Sequence, residues 1–144
     1  MKYPEKRSFV LTNDEASLRH IEAAITAFEE ERFDVAITLA GAAEGMAPKT
    51  SMPDYFQIIR DHPRIEAKGI KKKEWTDEWL NIERNWLRHA GENHPSTCEF
   101  HRFAAAQMLV RAISKAQAAF GFQSAAIDAF IEAFRRSWTI DVDE

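Results

Sequence analysis

The stretch KKKEWTDEWLNIERNWLRHAGENHP, residues 71–95, decides what kind of fold this chain adopts. No glycine or proline interrupts residues 71–90, and Gly91, Asn93 and Pro95 then end a helix within a few residues. The pattern predicts one long helix over 71–89. At about 100° per residue, Trp75, Trp79, Ile82 and Trp86 fall on one narrow stripe, at steps of four, three and four. An aromatic stripe with that spacing predicts core packing. His89 projects about 50° from the centre of the stripe, and Asn85 lies one turn earlier on the same flank. Arg84 projects nearly opposite, with Leu80 and Leu87 beside it. Arg84 and His89 therefore diverge by about 140° on a regular helix. They converge only if the last turn distorts or a second surface closes over the helix end. Leu80 and Leu87 form the apolar seam expected to receive that surface, which predicts a symmetric homodimer.

Helical periodicity extends through the rest of the chain, and no stretch sustains the alternation of a strand. Asn13 or Asp14 caps an expected first helix to about Glu31, with Leu18, Ile21, Ile25 and Phe28 at three- and four-residue steps. A second helix, about 33–46, is dense in small residues; Ala36, Ala40, Gly41, Ala43 and Gly45 let a neighbouring backbone come close. Residues 47–70 carry Pro48, Pro53, Pro63 and Gly69 and read as a loop with one short helix, 53–60. Two further helices are expected over about 99–120 and 124–139, separated by the turn GFQS. The expectation is all-α: an up-and-down-type bundle of four to five long helices plus a short one. It forms a single domain over 1–144, with about twelve irregular N-terminal residues.

Composition narrows the functional classes. The chain has 144 residues, 45% of them apolar and 29% charged, which suits a folded chain with a real core. A net charge of −4 argues against a broad basic nucleic-acid surface. The exception is local, because AKGIKKKEW places Lys68, Lys71, Lys72 and Lys73 within six residues. No apolar run approaches the about 18 residues needed to cross a bilayer, so no membrane association is expected. MKYPEKRSFVLTNDEAS lacks the apolar centre of a secretory signal, and Cys98 is the one cysteine, so a cytoplasmic location is expected. There is no G-x-S-x-G, Walker-type loop or GxGxxG. His89, His94, Cys98 and His101 lie within thirteen residues, but their spacing fits no familiar zinc signature; no metal or other cofactor is expected.

RNWLRH, residues 84–89, has the form R-N-x-x-x-H and resembles the motif of the HEPN superfamily. These small all-α domains occur in prokaryotic toxins, defence ribonucleases and interaction modules. The resemblance extends to ERFDVAITLAGAAEGM, residues 31–46, and RNWLRHAGENHPSTCEF, residues 84–100, and covers roughly residues 15–120. The matching group of stand-alone proteins carries an acidic residue near the position of His94 and an aliphatic one near Cys98, where this chain departs. The helix at 124–139 is an addition to the pattern. The resemblance implies a homodimer whose two motifs face one cleft, and a metal-independent endoribonuclease of toxin or defence type paired with an RNA substrate and an antitoxin. It equally accommodates a non-catalytic interaction or nucleotide-binding module.

Cleaving RNA without a metal requires proton transfer at the 2′-hydroxyl and the leaving oxygen, and a cation at the phosphate. His89 is the candidate for proton transfer, because imidazole titrates nearest neutral pH. Arg84 is the candidate to hold the phosphate with its planar fork, and Asn85 to orient the imidazole or contact the phosphate. Glu44, a carboxylate on the small-residue helix, is expected to pair with Arg84 or His89 or to stand exposed near the helix end. Arg88, Lys71, Lys72 and Lys73 are candidate electrostatic support. By resemblance the product end is a 2′,3′-cyclic phosphate. The competing reading has Arg84, Asn85 and His89 capping the helix end and doing no chemistry.

Overall fold

Thr12 opens the first helix. Its hydroxyl accepts a hydrogen bond from the backbone N–H of Glu15, and α1 then runs Asn13–Glu29. The computed structural model describes residues 7–51, 57, 60–92 and 94–137, with only the backbone for residues 65, 66 and 77–79. The expected helix over 53–60 lies largely outside the described residues, as does the end of the expected last helix. Helix α1 ends where Glu31 enters the left-handed region at φ 61°, and Arg32 N–H closes the turn onto Ala27 O at 2.8 Å. That reversal sends α2, Phe33–Met46, back along α1.

The remaining elements are α3, Pro63–Ala67; α4, Lys72–Glu74; a π-helical segment, Trp75–Leu80; α5, Ile82–His89; α6, Arg102–Phe120; and α7, Ala125–Ser137. Among the described residues there is no strand, so the expected all-α bundle is what forms. Helix α2 is its centre and packs against α1, α6 and α5. Small residues make that possible: Ala36, Ala40 and Ala43 are fully buried, facing Ile21, Ile37, Leu109 and Ile113 in one continuous core. Phe28 and Phe130 meet edge to face at 5.4 Å and tie α7 to α1. No helix among the described residues is long and apolar enough to cross a membrane.

The expected continuous helix over 71–89 is broken, and the break reverses the expected facing. From Trp75 the chain closes i→i+5 turns, with Asn81 N–H donating to Thr76 O at 3.0 Å, and Asn81 then leaves helical geometry at φ −120°, ψ 14°. Helix α5 restarts in a new register. Leu87 packs on the core of its own chain, and Leu80 is half-buried, so the seam predicted for a second subunit is spent internally. The part of the predicted core stripe that lies on α5 turns outward: Ile82 is 48% exposed, and no residue of α5 is fully buried. Trp86 instead holds down the following loop, donating from Nε1 to Pro95 O at 2.8 Å and meeting Phe100 edge to face at 5.9 Å.

Candidate functional site

Three helices converge on one carboxylate. Glu44, on the last full turn of α2, is 7% exposed. Its Oε1 accepts from Arg84 Nη1 of α5 at 3.1 Å and from Arg111 Nη2 of α6 at 3.0 Å, and its Oε2 accepts from Arg111 Nε at 3.0 Å. The Arg111 contact is a two-pronged fork, the strongest geometry an ion pair adopts. Arg111 is itself 3% exposed, and its Nη1 donates to Leu80 O and to Asn81 Oδ1 at 3.1 and 2.8 Å. One buried guanidinium thus pins the end of the π-helical segment to the middle of the bundle.

The same cluster finishes the C-terminus of α2. A helix leaves its last carbonyls without intrahelical donors, and the dipole there favours cations. Lys115 Nζ donates to Glu44 O at 3.0 Å, and Ser17 Oγ of α1 to Ala43 O at 3.3 Å. Arg84 Nη2 donates one turn earlier, to Gly41 O at 3.2 Å. Gly41 leaves room for this approach: a Cβ added there would stand 3.0 Å from Arg84 Nε, close enough that the guanidinium would have to shift by a few tenths of an ångström. The small residues of α2 therefore admit a side chain where the sequence suggested a backbone.

His89 stands elsewhere. Its side chain is 44% exposed, with Nδ1 3.6 Å from Glu92 Oε2 and its ring stacked on His94 at 6.3 Å and 19°. The open cleft around it is lined by Asn85, Trp86, His94, Cys98 and His101, among others. Arg84 lines two other openings, one against α6 and one, with Arg88, against α2. Within one chain the structure does not join Arg84 to His89: no hydrogen bond or ion pair links them, and they line none of these openings together. Asn85 is on the side of His89, and Arg88 on the side of Arg84. Lys71, Lys72 and Lys73 are exposed and line none of the three; Lys72 is engaged by Asp61 at 2.7 Å.

The other candidates in the cleft are also placed. His101 Nδ1 accepts from Phe103 N–H at 3.0 Å and caps α6. Burial and the nearby charges of Glu83 and Glu99 push the Cys98 thiol up, which keeps it from being a ready nucleophile. Among the described residues no group of histidine, cysteine and carboxylate side chains is arranged to hold a metal ion. Sequence reasoning missed Arg111, Asn81 and Lys115. The available signal was a charged residue inside the apolar run MLVRAIS, residues 108–114, where an arginine needs a buried partner. No protein-family model, curated protein or solved structure matches this chain.

Proposed function

We propose that the chain is a HEPN-like helical module that binds and does not cut, with Arg84 of its R-N-x-x-x-H motif serving the fold. One observation carries this reading: the Arg84 guanidinium is held by Glu44 and Gly41 on the inner side of α5, while His89 faces the outer cleft. A phosphate-holding arginine has to meet the phosphate whose attacking 2′-hydroxyl the imidazole deprotonates, and the two sides of one helix cannot do that within a single chain. The working surface in this reading is the outer side of α5. There Ile82 is exposed and Asn85, Trp86, His89 and His94 offer apolar and hydrogen-bonding groups to a protein partner, a second copy or an antitoxin-type protein. A homodimer, on this geometry, pairs through Ile82 and Trp86 and not through Leu80 and Leu87.

The test is an RNA-cleavage assay with purified protein in excess chelator, run beside sedimentation velocity. The expected result is no cleavage, wild-type folding of His89→Ala, and an Ile82→Glu variant that loses self- or partner association. The ribonuclease reading keeps one observation, the exposure of His89 next to Asn85 in an open cleft. It requires a second copy to bring a cation to that cleft. Metal-free cleavage that leaves a 2′,3′-cyclic phosphate and disappears in His89→Ala would establish it and overturn the binding-module reading.

A further inference from the structure

The opening between the π-helical segment, α5 and α6 has a cavity volume of about 270 Å³. Its walls are apolar, with Ile37 and Met108 from the core and the rings of Trp75 and Phe103, the latter 40% exposed at the surface. Arg84, Arg111 and Glu83 bring charge to it, with the Arg111 guanidinium donating to Glu44, Leu80 O and Asn81 Oδ1. Residues five apart diverge by about 140° on an α-helix. The i→i+5 closure of the π-helical segment returns Trp75 and Leu80 to a shared side, and both line the cavity. A π-helical stretch is an uncommon local structure that concentrates at functional sites, and here its geometry shapes one wall.

Size and charge select the occupant. A dry cavity of about 150 Å³ accommodates benzene, so this one has room for a fused bicycle with a small substituent. The rings of Trp75 and Phe103 favour a flat aromatic partner, and the Met108 thioether suits the edge of such a ring. Arg84 has five N–H donors, and two are engaged, by Glu44 and Gly41. The Arg84 side chain keeps 22% exposure and lines this cavity as well as the opening against α2, and a planar carboxylate is the anion that best matches a guanidinium fork. A phosphate dianion is disfavoured by the Glu83 carboxylate in the same wall.

We propose that this cavity is a binding site for a small aromatic monocarboxylate, its ring between Trp75 and Phe103 and its carboxylate on Arg84. The site is separate from the His89 cleft and does not rest on the binding-module reading.

Isothermal titration of the full chain with indole-3-carboxylate, indole-3-carboxamide and inorganic phosphate tests it. The carboxylate is expected to saturate with a dissociation constant at or below about 1 mM, at least about tenfold tighter than the amide. Ala104→Leu narrows the cavity and Phe103→Ala removes a ring. Each is expected to weaken binding by about tenfold while melting as the wild type does. The proposal is overturned if the carboxylate shows no saturable binding, if the amide binds equally well, or if phosphate displaces the carboxylate at equal concentration. It is equally overturned if both cavity variants fold and bind unchanged. A thermal-shift control keeps misfolded variants out of the comparison.

Discussion

Replacing Glu44 by alanine separates a structural from a chemical role for the motif arginine. The substitution removes three charge-assisted hydrogen bonds and strands Arg111, 3% exposed, without its anion. Breaking a buried pair from one side costs about 3–5 kcal/mol, because the surviving charge keeps its desolvation cost. Arg111→Ala should cost a similar amount, since it also releases Leu80 O and Asn81. Arg84→Ala is milder: Glu44 retains both prongs of Arg111, so the loss is about 1–2 kcal/mol for the remaining bonds. His89→Ala, at an exposed position, should stay within about 0.5 kcal/mol of wild type. For a chain of this length each kcal/mol is worth about 3–5 °C in Tm, which places Glu44→Ala about 10–20 °C below wild type. The Glu44→Met, Arg111→Met double variant should recover much of that, because neither charge is then left alone. Urea unfolding followed by circular dichroism gives all five values. Equal stabilities for Arg84→Ala and His89→Ala, or a Glu44→Ala loss under about 1 kcal/mol, would refute the structural reading and free Arg84 for chemistry.

Two further outcomes follow from the same geometry. A Cβ at Gly45 meets nothing within 4 Å, so Gly45→Ala should stabilise by up to about 1 kcal/mol through helix propensity. Gly41→Ala should forfeit that gain by displacing Arg84, and thermal melts of the two variants give the difference directly. Asp61 is held down to about 2, first by its hydrogen bonds from Arg60 and then by those from Lys72. A carboxylate with a lowered folded-state pKa adds stability above its ordinary value near 3.8, and that stability is lost as pH falls through about 2. Carbon-detected NMR titration of the Asp61 carboxyl should show the low value, and Lys72→Ala should move it back upward.

The two helices α1 and α2 were legible because each signal in them agrees. A capping hydroxyl or carboxylate opens α1, a charged break ends it, and a small-residue face marks α2 as the centre. The limits of α1 differ from the expected ones by a residue or two, with Thr12 as the cap in place of Asn13 or Asp14, while α2 spans the expected 33–46. The third helix was misread for a physical reason. Projection at a fixed angle assumes an unbroken α-helix, and the i→i+5 turns at Trp75–Leu80, followed by the kink at Asn81, reset the phase before α5 begins. A stripe of tryptophans looks like core in sequence whether it meets a bundle or only its own following loop, as Trp86 does with Pro95 and Phe100. Nothing local in residues 71–81 announces the break, because its partner is Arg111, thirty residues away on α6. Of the outcomes open to Glu44, pairing with Arg84 or His89 or exposure near the helix end, the structure has the Arg84 pair, while its second and better-placed partner, Arg111, stands in an apolar helix.

The motif arginine and histidine diverge by about 140° on α5 itself, and the π-helical turn sets which of the two faces the bundle. Had the helix run straight, Leu80 and Leu87 would have lain outward with Arg84 among them, and a second subunit would have been required to cover them. The added residue in the turn rotates that face inward, where Arg84 meets a carboxylate that Arg111 already holds. The rotation delivers Ile82, Trp86 and His89 to the outside at the same time. One local change in helical closure therefore sets three things together: which side of α5 joins the core, which residues face outward, and the cavity that Trp75 and Leu80 line. A substitution that restores α-helical register at 75–81 would disturb all three at once, whereas one confined to the outer face would leave the core and the cavity intact.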